Sequence, residues 1–265
     1  MSAELARDVM ATHQLPEYNS TYARDGKHVP DPANMDSWFL MSHPWPMLLI
    51  ILLYLGFVLR LGPSLMKKRD PLQLQNLLLI YNGAMVVFSV WWIVKAIFQF
   101  GLTIPNEESI YVNSLMWYYL MSKFVELLDT VFFVLRKKQN QISFLHVYHH
   151  TNMALSTWAF LKYSRGEKFM MIAYVNSAVH AVMYSYYFLA ALGPKFRKFL
   201  WFKPYITWMQ MGQFVFLIGY FIRLLIWTCD LTRTFTQFAV VNTLSFLILF
   251  MNYYNKTYSK EKHKQ

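Results

Sequence analysis

Cysteine is almost absent from this chain. Cys229 is the single one among 265 residues, which excludes an internal disulfide and any cysteine-rich zinc site. Charge is scarce as well. Asp, Glu, Lys and Arg make up 15% of the residues, against about 25% in an ordinary soluble protein. Hydrophobic residues reach 56% and aromatic residues 18%. That balance excludes a soluble domain with a large core and reads as a polytopic membrane protein. There is no internal repeat, no low-complexity tract and no second domain. No cleavable signal peptide is expected. The first 43 residues are polar, and the first apolar run comes too late and is too long for one.

What is present is a series of apolar segments. A spanning helix needs about 20 mostly apolar residues, and seven stretches qualify: Pro46–Gly62, Leu77–Phe100, Leu115–Leu135, Phe144–Leu161, Phe169–Leu192, Tyr205–Trp227 and Phe235–Tyr254. The expected class is all-α. The fourth segment is short and polar at its start, which suggests a recessed or partly re-entrant helix. Basic residues cluster in alternate loops, at Lys67, Lys68 and Arg69, at Arg136, Lys137 and Lys138, and at Lys195, Arg197, Lys198 and Lys203. The tail adds Lys256, Lys260, Lys262 and Lys264. Lys162, Arg165, Lys168 and Arg233 run against the trend, while the opposite side carries a net acidic N-terminus and Glu107 and Glu108. The positive-inside rule then puts the N-terminus in the lumen and the C-terminus in the cytosol. The expected divisions are a polar luminal segment 1–43, a membrane domain 44–258 and a basic cytosolic tail 259–265. Asn19-Ser20-Thr21 is a glycosylation sequon on the luminal side. Topology explains most of the formal +11 charge, with an anionic substrate at the cytosolic face as the second reading. Basic residues scattered over short loops do not suit nucleic acid.

The chemistry concentrates at His146-Val147-Tyr148-His149-His150. Residues three and four apart share a helix face, so His146, His149 and His150 can point into one pocket. His180 follows in the next apolar segment. Ionisable groups at membrane depth are costly and usually mark function. Three readings stand for the box. A membrane histidine can be a hydrogen-bonded structural residue, although three within one turn argue against that. Imidazoles at this spacing also suit zinc or iron. Four of the eight histidines lie outside the apolar core, which leaves too few for a di-iron centre without many carboxylates. The third reading is metal-free, with histidine as nucleophile and acid–base catalyst.

Lys123, Glu126 and Asp129 recur every three residues in the third segment. Lys123 and Glu126 read as an ion pair that neutralises itself, or the three form a polar wall of the pocket. A carboxylate there would fix an imidazole tautomer. Asn176 and His180 are four apart and share a face, and Tyr184 and Tyr187 continue it, as pocket residues or as interfacial and helix-packing aromatics. Gln210 and Gln213 lie at helical spacing and need partners when buried.

These blocks, in order, resemble the ELO family of very-long-chain fatty acid elongases, from about Trp38 onward. The matching stretches are Leu61-Gly62-Pro63, Tyr81-Asn82, the Lys-x-x-Glu-x-x-Asp-Thr run from Lys123, the H-V-Y-H-H box, Asn176, the His180–Tyr187 block and Gly193-Pro194. The resemblance implies seven transmembrane helices, six of them closed into a barrel around an acyl tunnel. It implies condensation of a long-chain acyl-CoA with malonyl-CoA in the endoplasmic reticulum, without metal or nicotinamide cofactor. NADPH belongs to the later reductions. The expected partners are the bilayer and the ketoacyl reductase, dehydratase and enoyl reductase of the cycle, with a homo-oligomer possible. On this reading His149 is the nucleophile, His180 and His150 are acid–base partners, and His146 positions them. Asn176 and Gln213 are candidates for orienting the imidazoles. Arg136, Lys137 and Lys203 are candidates for the CoA phosphates. Trp158 and the stretch Thr207–Phe214 are expected to line the tunnel, where they bear on chain length. The competing functions are a metal-dependent desaturase or hydroxylase, and a seven-helix receptor or transporter.

Overall fold

A computed structural model describes residues 35–101, 110–164, 169–227 and 232–259. The sequon at Asn19 and the end of the basic tail lie outside them. The described residues are helical throughout, with no strand. The long helices are α1 (Pro44–Met66), α2 (Gln75–Phe100), α3 (Ile110–Leu135), α4 (Phe144–Ser164), α5 (Met170–Ala191), α6 (Lys203–Trp227) and α7 (Thr232–Tyr254). Each expected segment becomes one helix, lengthened or shortened by a few residues. The fourth is an unbroken helix of 21 residues. Four helices, α1, α2, α6 and α7, are long and apolar enough to cross a membrane by length and composition. The other three, α3, α4 and α5, are diluted by the charged, histidine and amide residues that build the site.

The outer faces are as apolar as the interior. Ile80, Val87, Phe98 and Val241 are all exposed, and so are Trp45, Trp201, Tyr205 and Trp227 at the helix ends. Such a surface suits lipid, with aromatic residues at its borders. The protein is a multi-pass membrane protein in this sense. Helices α3 and α4 pack together, as do α4 and α7, α7 and α6, α6 and α5, α5 and α2, and α2 and α3. Helix α1 stands against α3, where Tyr54 and Thr130 share a buried hydrogen bond of 2.7 Å. The turn at Met35–Ser37 and the residues after it dock on the ends of α3 and α4. Trp117 Nε1 donates to the Phe39 carbonyl at 3.1 Å and Trp158 Nε1 to the Leu40 carbonyl at 2.8 Å. Lys162 pairs with Asp36.

One glycine is required by close packing. Helix α1 widens into a π-turn at Phe57–Leu61, immediately before Gly62-Pro63. Proline has no N–H to offer the preceding turn, and a widened turn accommodates that loss. At Gly62 a Cβ would lie 2.6 Å from Val134 Cγ1 and 2.9 Å from the Phe57 carbonyl oxygen. Val134 is itself fully buried, so neither neighbour has room to retreat. Gly62→Ala is therefore expected to lower stability by about 1–3 kcal/mol through overpacking. Thermal unfolding in detergent checks this, and an unchanged midpoint would mean that α1 shifts freely against α3.

Candidate active site

Helix α3 brings its charged residues inward because its outer face is apolar. Lys123 and Glu126 are buried, and Lys123 Nζ donates to Glu126 Oε1 at 2.6 Å. A buried charge is tolerated when paired and fully hydrogen-bonded. The remaining bonds come from α5 and from α3 itself. Lys123 Nζ also donates to Asn176 Oδ1 at 2.8 Å, and the ammonium sits 4.5 Å from the Tyr119 ring centre. Tyr119 OH donates to the same Asn176 oxygen at 2.8 Å. Glu126 Oε1 lies 3.2 Å from His180 Nδ1. A carboxylate can only accept, so Nδ1 carries the proton. In the neutral imidazole this leaves the Nε2 lone pair free for chemistry. The pair neutralises itself, and its carboxylate also contacts an imidazole of the next helix but one.

Asp129, one turn further along, belongs to a different cluster. It accepts a hydrogen bond from Tyr184 OH at 2.8 Å, and the Tyr184 ring packs edge-on to Tyr81 at 6.0 Å. Tyr184 is also edge-on to His180, with centroids 5.6 Å apart.

Helix α4 starts just before the histidines. Ser143 accepts a hydrogen bond from the His146 N–H at 3.2 Å, a helix-capping contact that sets the box in the first turns. The His146 and His150 rings are 4.4 Å apart, and His149 and His150 are 5.5 Å apart. Phe246 and Phe250 of α7 pack on His149 at 5.0 and 6.1 Å. His146 Nε2 is buried without a hydrogen-bond partner among the described residues.

All four imidazoles line one chamber of about 820 Å3, a size suited to a small-molecule ligand. Asp129, Asn176, Tyr187, Gln210, Gln213, Arg136 and Lys203 line it too. A second, narrower cavity of about 30 Å3 opens beyond it and shares Asn176, Gln213 and Phe214 with the chamber. Those three residues form the throat between the two spaces. Phe160 and Phe169 line the narrow cavity with Leu217 and Ala239, are stacked at 4.1 Å with an interplanar angle of 4°, and cluster with the buried Phe221.

Several sequence expectations need correction. Lys123, Glu126 and Tyr184 do not line the chamber. They stand behind it, because their polar atoms are consumed by one another and by Asp129, Asn176 and His180. Lys137 is not part of the lining either. It occupies a positive φ of 55° where α3 ends, and only its neighbour Arg136 turns inward. Asn176 bonds to Tyr119 and Lys123 and to no imidazole, and Gln213 Oε1 is buried without a partner among the described residues. Gln210 donates to the Met183 sulfur at 3.4 Å. Trp158 lines neither cavity, since its indole N–H is spent on Leu40. Sequence reasoning missed Tyr119 and Phe246. Tyr119 lies four residues before Lys123 on the same helical face, and that periodicity could have marked it. Nothing in the sequence points to Phe246, which reaches His149 only through the packing of α7 on α4. Among the described residues, no three His, Cys, Asp or Glu side chains are grouped to hold a metal ion.

The fold and site define a multi-pass membrane protein with a histidine cluster lining a wide chamber that adjoins a narrow, largely apolar cavity. A model of the ELO family (GNS1/SUR4 family) matches residues 39–265, and the chain belongs to that family. It is 40% identical to the human very long chain fatty acid elongase 4 over 240 residues, covering 86% of this chain and 76% of that one. The mouse protein of the same name is 39% identical over 94% of this chain and 81% of its own length. The very long chain fatty acid elongase 7 of Drosophila melanogaster is 38% identical over 88% and 74% of the respective chains.

If Glu126 orients His180, Glu126→Gln should cost activity and also strand the Lys123 charge. The expected losses are at least about 100-fold in turnover and about 3–5 kcal/mol in stability. Pairing it with Lys123→Met removes the stranded charge. Stability should then recover in thermal unfolding while turnover stays low. A double variant that regains activity would sink the orienting role.

Proposed function

We propose that this protein is a very-long-chain fatty acid elongase that condenses a long-chain acyl-CoA with malonyl-CoA to give 3-oxoacyl-CoA, carbon dioxide and CoA. The observation that carries this reading is that four imidazoles line one chamber, whose lining shares Asn176, Gln213 and Phe214 with a narrow cavity. A thioester bound in the chamber, with its chain directed toward the narrow cavity, brings its reacting carbonyl among these imidazoles.

Six helices, α2 to α7, form a closed ring around this path, with α1 outside. Support comes from the unbroken cycle of packed helix pairs. The membrane is that of the endoplasmic reticulum, with the N-terminus luminal and the wide chamber toward the cytosol. Arg136 and Lys203, both in the chamber lining, meet the anionic phosphates of CoA. The 3-oxoacyl product passes to a ketoacyl reductase, a dehydratase and an enoyl reductase. The condensing step itself takes no metal and no nicotinamide.

His149 Nε2 attacks the thioester carbon, and the new C–N bond forms as the C–S bond breaks. CoA departs as the thiolate and takes up the proton shed by the acylated imidazole, relayed by a neighbouring imidazole. His180 is suited to that relay, because Glu126 leaves its Nε2 unprotonated. Malonyl-CoA then loses carbon dioxide. The electron pair of the broken C–C bond attacks the acyl carbon, and the imidazole leaves with one proton taken up. A nucleophile that is also a good leaving group near neutral pH divides the transfer into two easier steps.

The stacked Phe160 and Phe169, which line the narrow cavity, set the limit of the chain's path on this reading. Phe160 lies eleven positions after His149 on α4, roughly 16 Å along the helix axis, so the pair limits how deep a chain can run.

The founding experiment supplies purified protein with labelled malonyl-CoA and acyl-CoAs of graded length, without NADPH. The expected product is a 3-oxoacyl-CoA two carbons longer, absent with His149→Ala. Folded wild-type protein that makes none across the panel, and carries bound iron instead, would favour the desaturase. In the same assay Phe169→Ala is expected to move the preferred chain to greater length. An unchanged preference would place the limit elsewhere.

A further inference from the structure

The Asn176 amide is locked in one orientation. Its oxygen accepts two hydrogen bonds, from Tyr119 OH and Lys123 Nζ, each at 2.8 Å. A flipped amide would aim N–H groups at the Lys123 ammonium, which has no lone pair to receive them. The orientation therefore follows from the network. Both bonds fall on Oδ1, and the two hydrogens of Nδ2 remain available to whatever occupies the cavities that Asn176 lines. The residue is buried at 2% exposure and belongs to the lining of both the chamber and the narrow cavity. It precedes His180 by one helical turn.

Few groups at this throat have a fixed donor to offer. Gln213 lies there too, but no hydrogen bond fixes its amide, and its oxygen is buried without a partner among the described residues. Lys123 is committed to Glu126 and Asn176 and lines neither cavity.

We infer that Asn176 Nδ2 donates a hydrogen bond to the carbonyl oxygen of the acyl thioester and holds the negative charge that develops there when the imidazole attacks. This inference rests on the condensing reaction proposed above. A donor held in place before the reaction, in a site shielded from water, needs no rearrangement as charge appears. The Lys123 ammonium strengthens it. Its charge on the amide oxygen draws electron density away from nitrogen and makes the N–H groups more acidic donors. The ion pair behind the chamber thus acts on two groups of the reaction, through Glu126 on the His180 relay and through Asn176 on the carbonyl oxygen.

Asn176→Asp and Asn176→Ala separate this role from a structural one. Aspartate keeps an oxygen for the bonds from Tyr119 and Lys123 but exchanges the N–H groups for a charged carboxylate oxygen, whereas alanine removes donor and acceptor without adding charge. The first half-reaction is read as CoA released from acyl-CoA without malonyl-CoA, next to acyl-CoA binding and thermal unfolding. The inferred role predicts that Asp and Ala slow CoA release alike, by about 100- to 1,000-fold, with acyl-CoA affinity changed far less. A purely structural role predicts that folded Ala protein releases CoA near the wild-type rate, and that outcome overturns the inference. Wild-type protein that releases no CoA from any acyl-CoA would instead reject the elongase reading. A second measurement needs no Asn176 variant. Acyl-CoA labelled with 13C at its carbonyl, bound to His149→Ala protein, should show an infrared carbonyl band shifted to lower frequency than in water. No shift with Asn176 intact overturns the inference, whether or not the Asn176 variants fold.

Discussion

The site depends on one buried ion pair. Lys123 and Glu126 sit within a helix bundle in lipid, where an unpaired charge is expensive, and each satisfies the other at 2.6 Å. Pairing alone leaves hydrogen-bonding capacity over. The lysine spends it on Asn176 and the glutamate on His180, both on α5 and four residues apart. One pair on α3 therefore fixes two side chains on its neighbour at adjacent turns. Loss of either charge would disturb the whole inner face of α5, which is why the pair is at once a structural and a chemical feature.

The polar groups are arranged in depth. The ion pair, Tyr119, Tyr184 and Tyr81 stand behind the chamber wall, and His146, His149, His150, His180 and Asn176 form its surface. The outer layer holds the inner one in orientation. Asp129 takes part in both, bonded to Tyr184 and in the chamber lining. On the opposite side α7 supplies Phe246 and Phe250, which cover His149 with aromatic rings, so the box faces a polar wall on one side and an apolar one on the other. That asymmetry suits a substrate that is polar at one end and hydrocarbon at the other.

The membrane helices explain their own composition. Those that are apolar enough to be recognised as spans by hydropathy, α1, α2, α6 and α7, contribute mostly surface and packing. Those that fall short, α3, α4 and α5, carry the buried ion pair, the four histidines and Asn176. Helix α1 keeps its close approach to α3 through Gly62, and the docked turn around Met35–Ser37 ties the opposite ends of α3 and α4.

Much was legible along the chain because it depends on local spacing. Every apolar segment became a helix, since a run of such residues long enough to span lipid has no other way to satisfy its backbone. Helical periodicity placed His146, His149 and His150 on one side of α4, and Asn176 with His180 on one side of α5. Lys123 and Glu126 were readable as a pair because they are one turn apart. What periodicity could not settle was which residues meet across helices. The orienting of His180 by Glu126, the locking of Asn176 by Tyr119 and Lys123, and the withdrawal of Tyr184 to Asp129 are contacts between α3 and α5. The covering of His149 by Phe246 and the diversion of Trp158 to Leu40 are likewise long-range. A sequence specifies the face on which a side chain emerges. Only the packed bundle decides what that face meets, because hydrogen bonds and ring contacts act over a few ångströms in space and are indifferent to separation along the chain.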